Sequence, residues 1–400
     1  MPASTPQSSS FPPLYLGWME ELLGSAPPEE SRATCSDCAM LQKPGDRPSD
    51  LNIFFDPQSK CCTYLPDLPN FLVGRIFLDQ TPEMAAGRAS VERRMATQVA
   101  VTPMGIGQPS SYLLWYNHSK SGFGRSRTLR CPHYIEEGGL CSIWRHREGT
   151  CSTWFCKHDQ GAASQRFWRD ALHRLLKAVE AGLSYWCVLQ LDLGSAALER
   201  VLNLSNNFDT IEEGELESKV RPADYRALWG RWFGRERQFF EACASRIEGL
   251  SWADVAQICG PKVGILARFT QDTYAQISRT TPEPALRCGS FRLVSLRADV
   301  ARVSTYNDYD PVEIPVPLLG LLRHFDGQPT SEAVATIKER EGVTLDDALI
   351  RKLTNFGLLV RPEESASGTE PAPPPSTAAK LAGSSGDSQL KTKPQKSKRK

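Results

Sequence analysis

The sequence predicts an α+β protein built from unlike parts in series, on three observations. Eight of its twelve cysteines lie between Cys35 and Cys156, in sequence rich in Gly, Pro and Ser. After residue 160 apolar residues recur at three- and four-residue steps, the period of a helix. From Phe291 the period shifts towards two and then returns to helix, as in a small mixed module. The expected organisation is a flexible leader with a short helix (1–31), a loop-rich cysteine-cluster segment (32–160), a helical region (161–290), a mixed C-terminal module (291–362) and a disordered basic tail (363–400).

Taken in order, residues 14–23 are apolar with Glu20 and Glu21, a short amphipathic helix that Pro27 and Pro28 stop. Residues 32–160 show few long periodic segments, so something other than a large apolar core is expected to order them. Between 164 and 192, Phe167, Trp168, Leu172, Leu175, Leu176, Val179, Leu183 and Trp186 form one helical stripe. Residues 209–219 are acidic and polar, a solvated loop. A second helix is expected over 222–247, with Leu228, Trp232, Phe239 and Phe240 on its apolar face. Ser251 caps a third, Gly260-Pro261 ends it, and a fourth covers 262–277. Strands follow at 291–296 and 301–306, joined by a turn near 297–299, with a third extended piece at 312–316. Helices at 317–325, 330–340 and 345–356 lead to a short strand after Gly357. From 363 the sequence is Ser/Pro/Ala/Gly-rich and then basic.

Hydrophobic residues at 40% and charged residues at 23% are ordinary for a globular chain. A net charge of +1 gives no bulk attraction to nucleic acid or to a membrane. The first thirteen residues lack the basic and then apolar pattern of a signal peptide. No stretch reaches the roughly 18 uncharged apolar residues of a membrane helix. The expected location is cytoplasmic, a reducing compartment in which clustered thiols serve as ligands or redox groups more often than as disulfides.

The strongest signal is Cys131-Pro132-His133-Tyr134, Gly139-Leu140-Cys141, Ile143-Trp144, Arg147, Cys151, and Trp154-Phe155-Cys156. Upstream stand Cys35-x2-Cys38 and the vicinal pair Cys61-Cys62. A Cys-x2-Cys turn lets two sulfurs approach one ion, and soft thiolates select zinc or iron–sulfur clusters over magnesium or calcium. Eight cysteines suffice for two four-sulfur sites. Neighbouring Cys61 and Cys62 converge on one ion only with strain, so they serve two centres, or one ligates while the other packs. The candidate metal ligands are therefore Cys35, Cys38, Cys61, Cys62, Cys131, Cys141, Cys151 and Cys156. His133, His146 and His158 fall inside the cluster, each more readily a surface or supporting residue than a ligand. Arg147 offers a counter-charge to metal-bound thiolates. Tyr134, Trp144, Trp154 and Phe155 are expected to wall the site.

This downstream pattern resembles the YkgJ-type cysteine-cluster family, described as zinc- or iron-chelating. That family also carries a Cys-x2-Cys and a vicinal Cys pair upstream, roles that Cys35, Cys38, Cys61 and Cys62 match. Here 22 residues separate Cys38 from Cys61, where the family compresses all four, and Glu148 stands where the family usually has Pro. The resemblance implies metal binding by an iron–sulfur cluster or zinc, over roughly a third of the chain.

Ile314-Pro-Val-Pro-Leu, Phe325-Asp326-Gly327-x-x-Thr330 and Phe356-Gly357-Leu-Leu-Val resemble the PqqD-like winged-helix fold. That resemblance implies a small winged-helix-like domain that recognises a peptide or protein ligand, through a hairpin edge able to accept a strand. The two helices after Thr330 balance acids and bases, which argues against nucleic acid. Gly105-Ile-Gly-Gln and Gly122-Phe-Gly-Arg read as turns. Cys187, Cys243, Cys259 and Cys288 read as core. Three functions follow: a metal or iron–sulfur protein, either redox-active or structurally metallated; a peptide- or protein-modifying enzyme with a catalytic metal; or an interaction scaffold with structural zinc.

Overall fold

The apolar stripe of the middle region becomes the axis of the main core. In the computed structural model, which describes residues 11–45, 54–119, 121–193 and 222–363, that stripe is one continuous run. It comprises helix α6 (Gly161–Gln165), a π-helical turn (Arg166–Leu172) and helix α7 (His173–Gln190). Phe167, Trp168, Leu172, Leu175, Leu176, Val179 and Leu183 are all fully buried along it. The acidic run at 209–219 and all but the first residue of the basic tail lie outside the described residues.

Helix α1 (Pro13–Leu23) starts with Pro at its first position and buries Tyr15, Trp18, Met19 and Leu22. It is anchored rather than loose: Trp18 Nε1 donates to Leu250 O at 2.8 Å. The segment 32–160 departs most from expectation. It holds α2 (Asn70–Leu78), α3 (Ala85–Thr97) and α4 (Ser110–His118). The small sheet β1 (Leu68–Pro69), β2 (Val101–Thr102) and β3 (Gly105–Ile106) has β3 in its middle, so Gly105 is a strand residue and not a turn. Helix α2 buries Phe71, Leu72, Val73, Ile76 and Phe77. A helix buried on nearly every side has no polar face, so its sequence carries no period to read. An apolar core therefore does order part of this segment. One core runs from Phe11 to Ile277, across the expected boundaries at 31 and 160.

Strands β4 (Tyr134–Ile135) and β5 (Leu140–Cys141) form a hairpin, and α5 (Gly149–Thr153) precedes Cys156. The single helix expected over 222–247 is two, α8 (Pro222–Trp229) and α9 (Glu236–Ile247). Gly234 at φ +74° lies between them, a backbone conformation that ends a helix. Helix α9 packs against α2. Helix α10 (Trp252–Cys259) has the expected Ser251 cap, made reciprocal by Asp254, and α11 (Pro261–Ile277) starts after Gly260.

The C-terminal module has a core of its own, including Leu286, Val303, Ile314, Phe325 and Ile337. Strands β6 (Ala285–Cys288), β7 (Arg292–Leu296), β8 (Val300–Ser304) and β9 (Val312–Pro315) lead into α12 (Val316–Leu321). Then come β10 (Asp326–Pro329), α13 (Thr330–Glu341), α14 (Asp347–Asn355) and β11 (Leu359–Val360). Two antiparallel sheets result, ordered β7–β8–β9 and β10–β6–β11. The Asp326-Gly327 turn is itself strand, paired to the unforeseen β6, whose only buried residue is Leu286. Helices with small antiparallel sheets make the described residues α+β. No helix among them is long and apolar enough to cross a membrane.

His173, at the start of α7, tests this packing. Burial pushes its imidazole down from 6.5 to about 4. Between those values the unfolded chain binds a proton that the folded chain does not. The contribution is therefore complete above about pH 6.5 and lost as pH falls towards 4. Denaturant titrations across that window should show falling stability, and His173→Gln should remove on the order of 3 kcal/mol of the fall.

Candidate functional site

Loops, not regular elements, carry most of the eight clustered cysteines, and backbone hydrogen bonds stitch those loops together. Cys61 and Cys62 sit in a turn that opens with Lys60 N donating to Asp56 O at 2.8 Å. Cys131 N donates to Cys62 O at 2.7 Å, joining the second cysteine loop to the first. Cys141 lies in β5 opposite Tyr134 of β4, three residues beyond Cys131. Ser142 N donates to His133 O at 2.8 Å and closes that hairpin. Cys35 is tied in by Lys60, whose ammonium donates to Cys35 O at 2.5 Å and Gly139 O at 2.8 Å. Gly139 is required there: its φ is +61°, and a Cβ would lie 2.5 Å from Lys60 Nζ.

These ties bring the cysteine-bearing loops together, and their sulfurs interact electrostatically. All twelve cysteines are free thiols; Cys131 is buried and the other seven of the cluster are half-buried. Cys61 is central, because its charge acts on each of the other seven. A hydrogen bond from the Cys62 thiol, reinforced by Lys60 and Arg147, holds Cys61 down at about 7. The same bond, with burial, pushes Cys62 up. Burial, with repulsion from neighbouring sulfurs, pushes up Cys35, Cys38, Cys131 (to about 12), Cys141 and Cys156. Cys151 is raised by burial and then by Glu148. Left to themselves, most of these thiols keep their protons at neutral pH.

Two cations are buried against the sulfurs. Arg147 is 4% exposed, stacked over Trp144 at 3.3 Å from the ring centroid, and it feels Cys141, Cys35, Cys151 and Cys61. Lys60 is 5% exposed and acts on Cys35, Cys38 and Cys61. A cleft of about 450 Å³, lined by Ser36, Lys60, Arg130, Tyr134 and Gly139, opens beside them.

Helix α5 is held from behind by charge. Glu148, fully buried, caps it by accepting from Thr150 N and Cys151 N at 2.8 and 2.9 Å. Lys177 Nζ bridges Glu148 at 3.0 Å and Glu180 at 2.8 Å. Glu180 in turn accepts from Tyr15 OH and Gly149 N. Burial pushes the Glu148 carboxyl up, but Lys177 and the two N–H groups outweigh it and hold it below the usual range. Where the resembling pattern has Pro, this chain thus builds an ionic cap.

The three candidate histidines are buried and engaged elsewhere, contrary to a surface placement. His133 meets Ser90 Oγ at 2.7 Å, His146 meets Asp79 at 2.9 Å, and His158 faces Glu30 at 3.8 Å. Of the aromatics, Trp144 carries Arg147, Trp154 carries Arg169, and Phe155 packs edge-on to Trp168. Cys187 and Cys243 are buried in the core, while Cys259 and Cys288 are half-buried. Sequence reasoning missed Lys60, Lys177 and Glu180, which no pattern marks. It also missed the use of Glu148, for which the departure from the resembling motif was the available signal. Among the described residues, no group of three or more Cys, His, Asp or Glu side chains is disposed to hold a metal ion as it stands.

Compared with protein-family models, curated proteins and solved structures, the chain matches none. Its site must be read from its own residues. Glu148→Ala should leave Lys177 with Glu180 as its remaining carboxylate and uncap α5, destabilising the fold by about 3 kcal/mol in denaturant titration. Loss of under about 0.5 kcal/mol would contradict the ionic cap.

Proposed function

We propose that the chain is a metal-binding protein whose centre is held by Cys35, Cys38, Cys61, Cys62, Cys131, Cys141, Cys151 and Cys156. The observation that carries this reading is that Cys61 interacts electrostatically with each of the other seven sulfurs, with the buried Arg147 and Lys60 acting on the same thiols. Buried cations call for nearby negative charge. Ionised sulfurs would supply it, and mutually repelling sulfurs stay ionised together when a metal cation shares them. The donor chemistry fits a soft metal, because the set is sulfur throughout. Zinc would supply a structural cross-link or a Lewis acid, and an iron–sulfur cluster would supply one-electron chemistry. The protein's part is to bring the loops together, to place Arg147 and Lys60 against the thiolates, and to fix the segment of Cys151 through Glu148.

The C-terminal module supports a second, compatible reading, a peptide- or protein-modifying function with the module as recognition element. Among the described residues strand β7 pairs only with β8, and its Leu293, Val294 and Leu296 are 50, 43 and 62% exposed. An open strand edge with apolar side chains suits an extended peptide.

Metal analysis of anaerobically purified protein tests the first reading. Brown protein with charge-transfer absorption means iron–sulfur, and colourless protein retaining zinc means thiolate zinc. Protein that holds neither metal, even after reconstitution, would falsify the proposal. Cys141→Ser and Cys151→Ser should each lower bound metal, whereas Cys243→Ser should leave it unchanged. Arg147→Met should speed metal extraction by a chelator about tenfold or more.

A further inference from the structure

We infer that Asp310 and Asn307, in the β8–β9 connection of the C-terminal module, are positioning residues that clasp the outer cysteine loops of the centre. Asn307 is 5% exposed and both ends of its amide are used. Its Nδ2 donates to Cys156 O at 2.8 Å, and its Oδ1 accepts from Tyr309 N at 2.9 Å. Asp310 is 7% exposed and gathers two distant segments. Its two oxygens take the fork of Arg32, Nη1 at 3.1 Å and Nη2 at 3.2 Å, the geometry of a strong carboxylate–guanidinium pair. Its Oδ2 also accepts from His158 N at 3.3 Å and from Tyr306 OH. Arg32 lies three residues before Cys35, and His158 lies two residues after Cys156.

One carboxylate of the module therefore ties the approach to Cys35 and Cys38 to the exit from Cys156. Arg32 reinforces the tie by donating to His158 O. So does Asp159, whose carboxylate accepts from Ser31 N at 2.6 Å and Ser31 Oγ at 2.8 Å. Tyr309 adds an apolar contact, its ring edge-on to Phe55 at 5.9 Å, and Phe55 N donates to Met40 O two residues beyond Cys38. Cys131, Cys141 and Cys151 do not depend on this clasp, since the β4–β5 hairpin and the capped α5 hold them. The cluster thus has an inner set held by its own segment and an outer set, Cys35, Cys38 and Cys156, whose flanking chain the C-terminal module also holds.

The inference rests on these cysteines being the functional centre and is independent of which metal fills it. The test is time-resolved alkylation of the full chain, reduced and metal-free, read at each cysteine by mass spectrometry. Asp310→Asn keeps the size while removing the charge and one of the two acceptor oxygens. It should speed alkylation of Cys35, Cys38 and Cys156 about tenfold, with Cys131, Cys141, Cys151 and Cys243 unchanged. Arg32→Met should do the same, and the double variant should add little to either. Asn307→Ala should act chiefly at Cys156, and it keeps the idea testable if Asp310→Asn folds poorly. Unchanged rates at the outer three in folded variants would overturn the clasp. Equal acceleration at all eight and at Cys243 would overturn it too, as general loosening. Repeating the series with added zinc separates the two readings. If zinc protects no cysteine in the parent chain, the zinc form of the metal reading fails while the clasp stands or falls on the metal-free rates.

Discussion

Lys60 and Arg147 set the constraint around which the cysteine region is arranged. A charged side chain enters a protein interior only with partners. Lys60 meets the need partly through carbonyls, reaching from its own turn to the loop of Cys35 and to Gly139. In doing so it joins segments that are far apart in sequence. Arg147 lies flat on Trp144, which carries its apolar faces and leaves its charge directed at four sulfurs. Loops of this length hold no shape by themselves. They do so here because two cations and a few backbone bonds, notably Cys131 N to Cys62 O, leave them one arrangement.

The support extends outwards in layers. Behind the sulfurs, Glu148, Lys177 and Glu180 link α5 to α7, and Tyr15 extends the link to α1. A chain of buried polar groups satisfied in this way favours one packing over others. The main core under it is continuous from the first helix to α11, so the cysteine loops rest on a rigid floor and not on a separate small unit. The C-terminal module meets this region through the β8–β9 connection and through α14, whose Asn355 Nδ2 donates to Gln160 Oε1 at 3.1 Å.

Sequence reading recovered what repeats. The stripe of α7, the Ser251 cap and the β7–β8 hairpin are each local or periodic signals. It missed α2, buried all round and hence without a polar face, and β6, four residues with one buried side chain. It joined α8 to α9, because nothing local showed that Gly234 adopts a positive φ. In the site, residue type and spacing pointed to the sulfurs. The groups that hold them, such as Lys60 and Glu180, act across 25 to 165 positions of sequence, and no spacing rule reaches that far.

Strand β7 has a further consequence, for the behaviour of the protein in concentrated solution. Among the described residues its outer edge pairs with no strand, beside Leu293, Val294 and Leu296, with Arg292 as its one charged residue. Two copies can pair through such edges as readily as a copy and a ligand can. Self-association through this edge would therefore compete with any peptide ligand the edge takes, and such a ligand would act as a solubility factor as well.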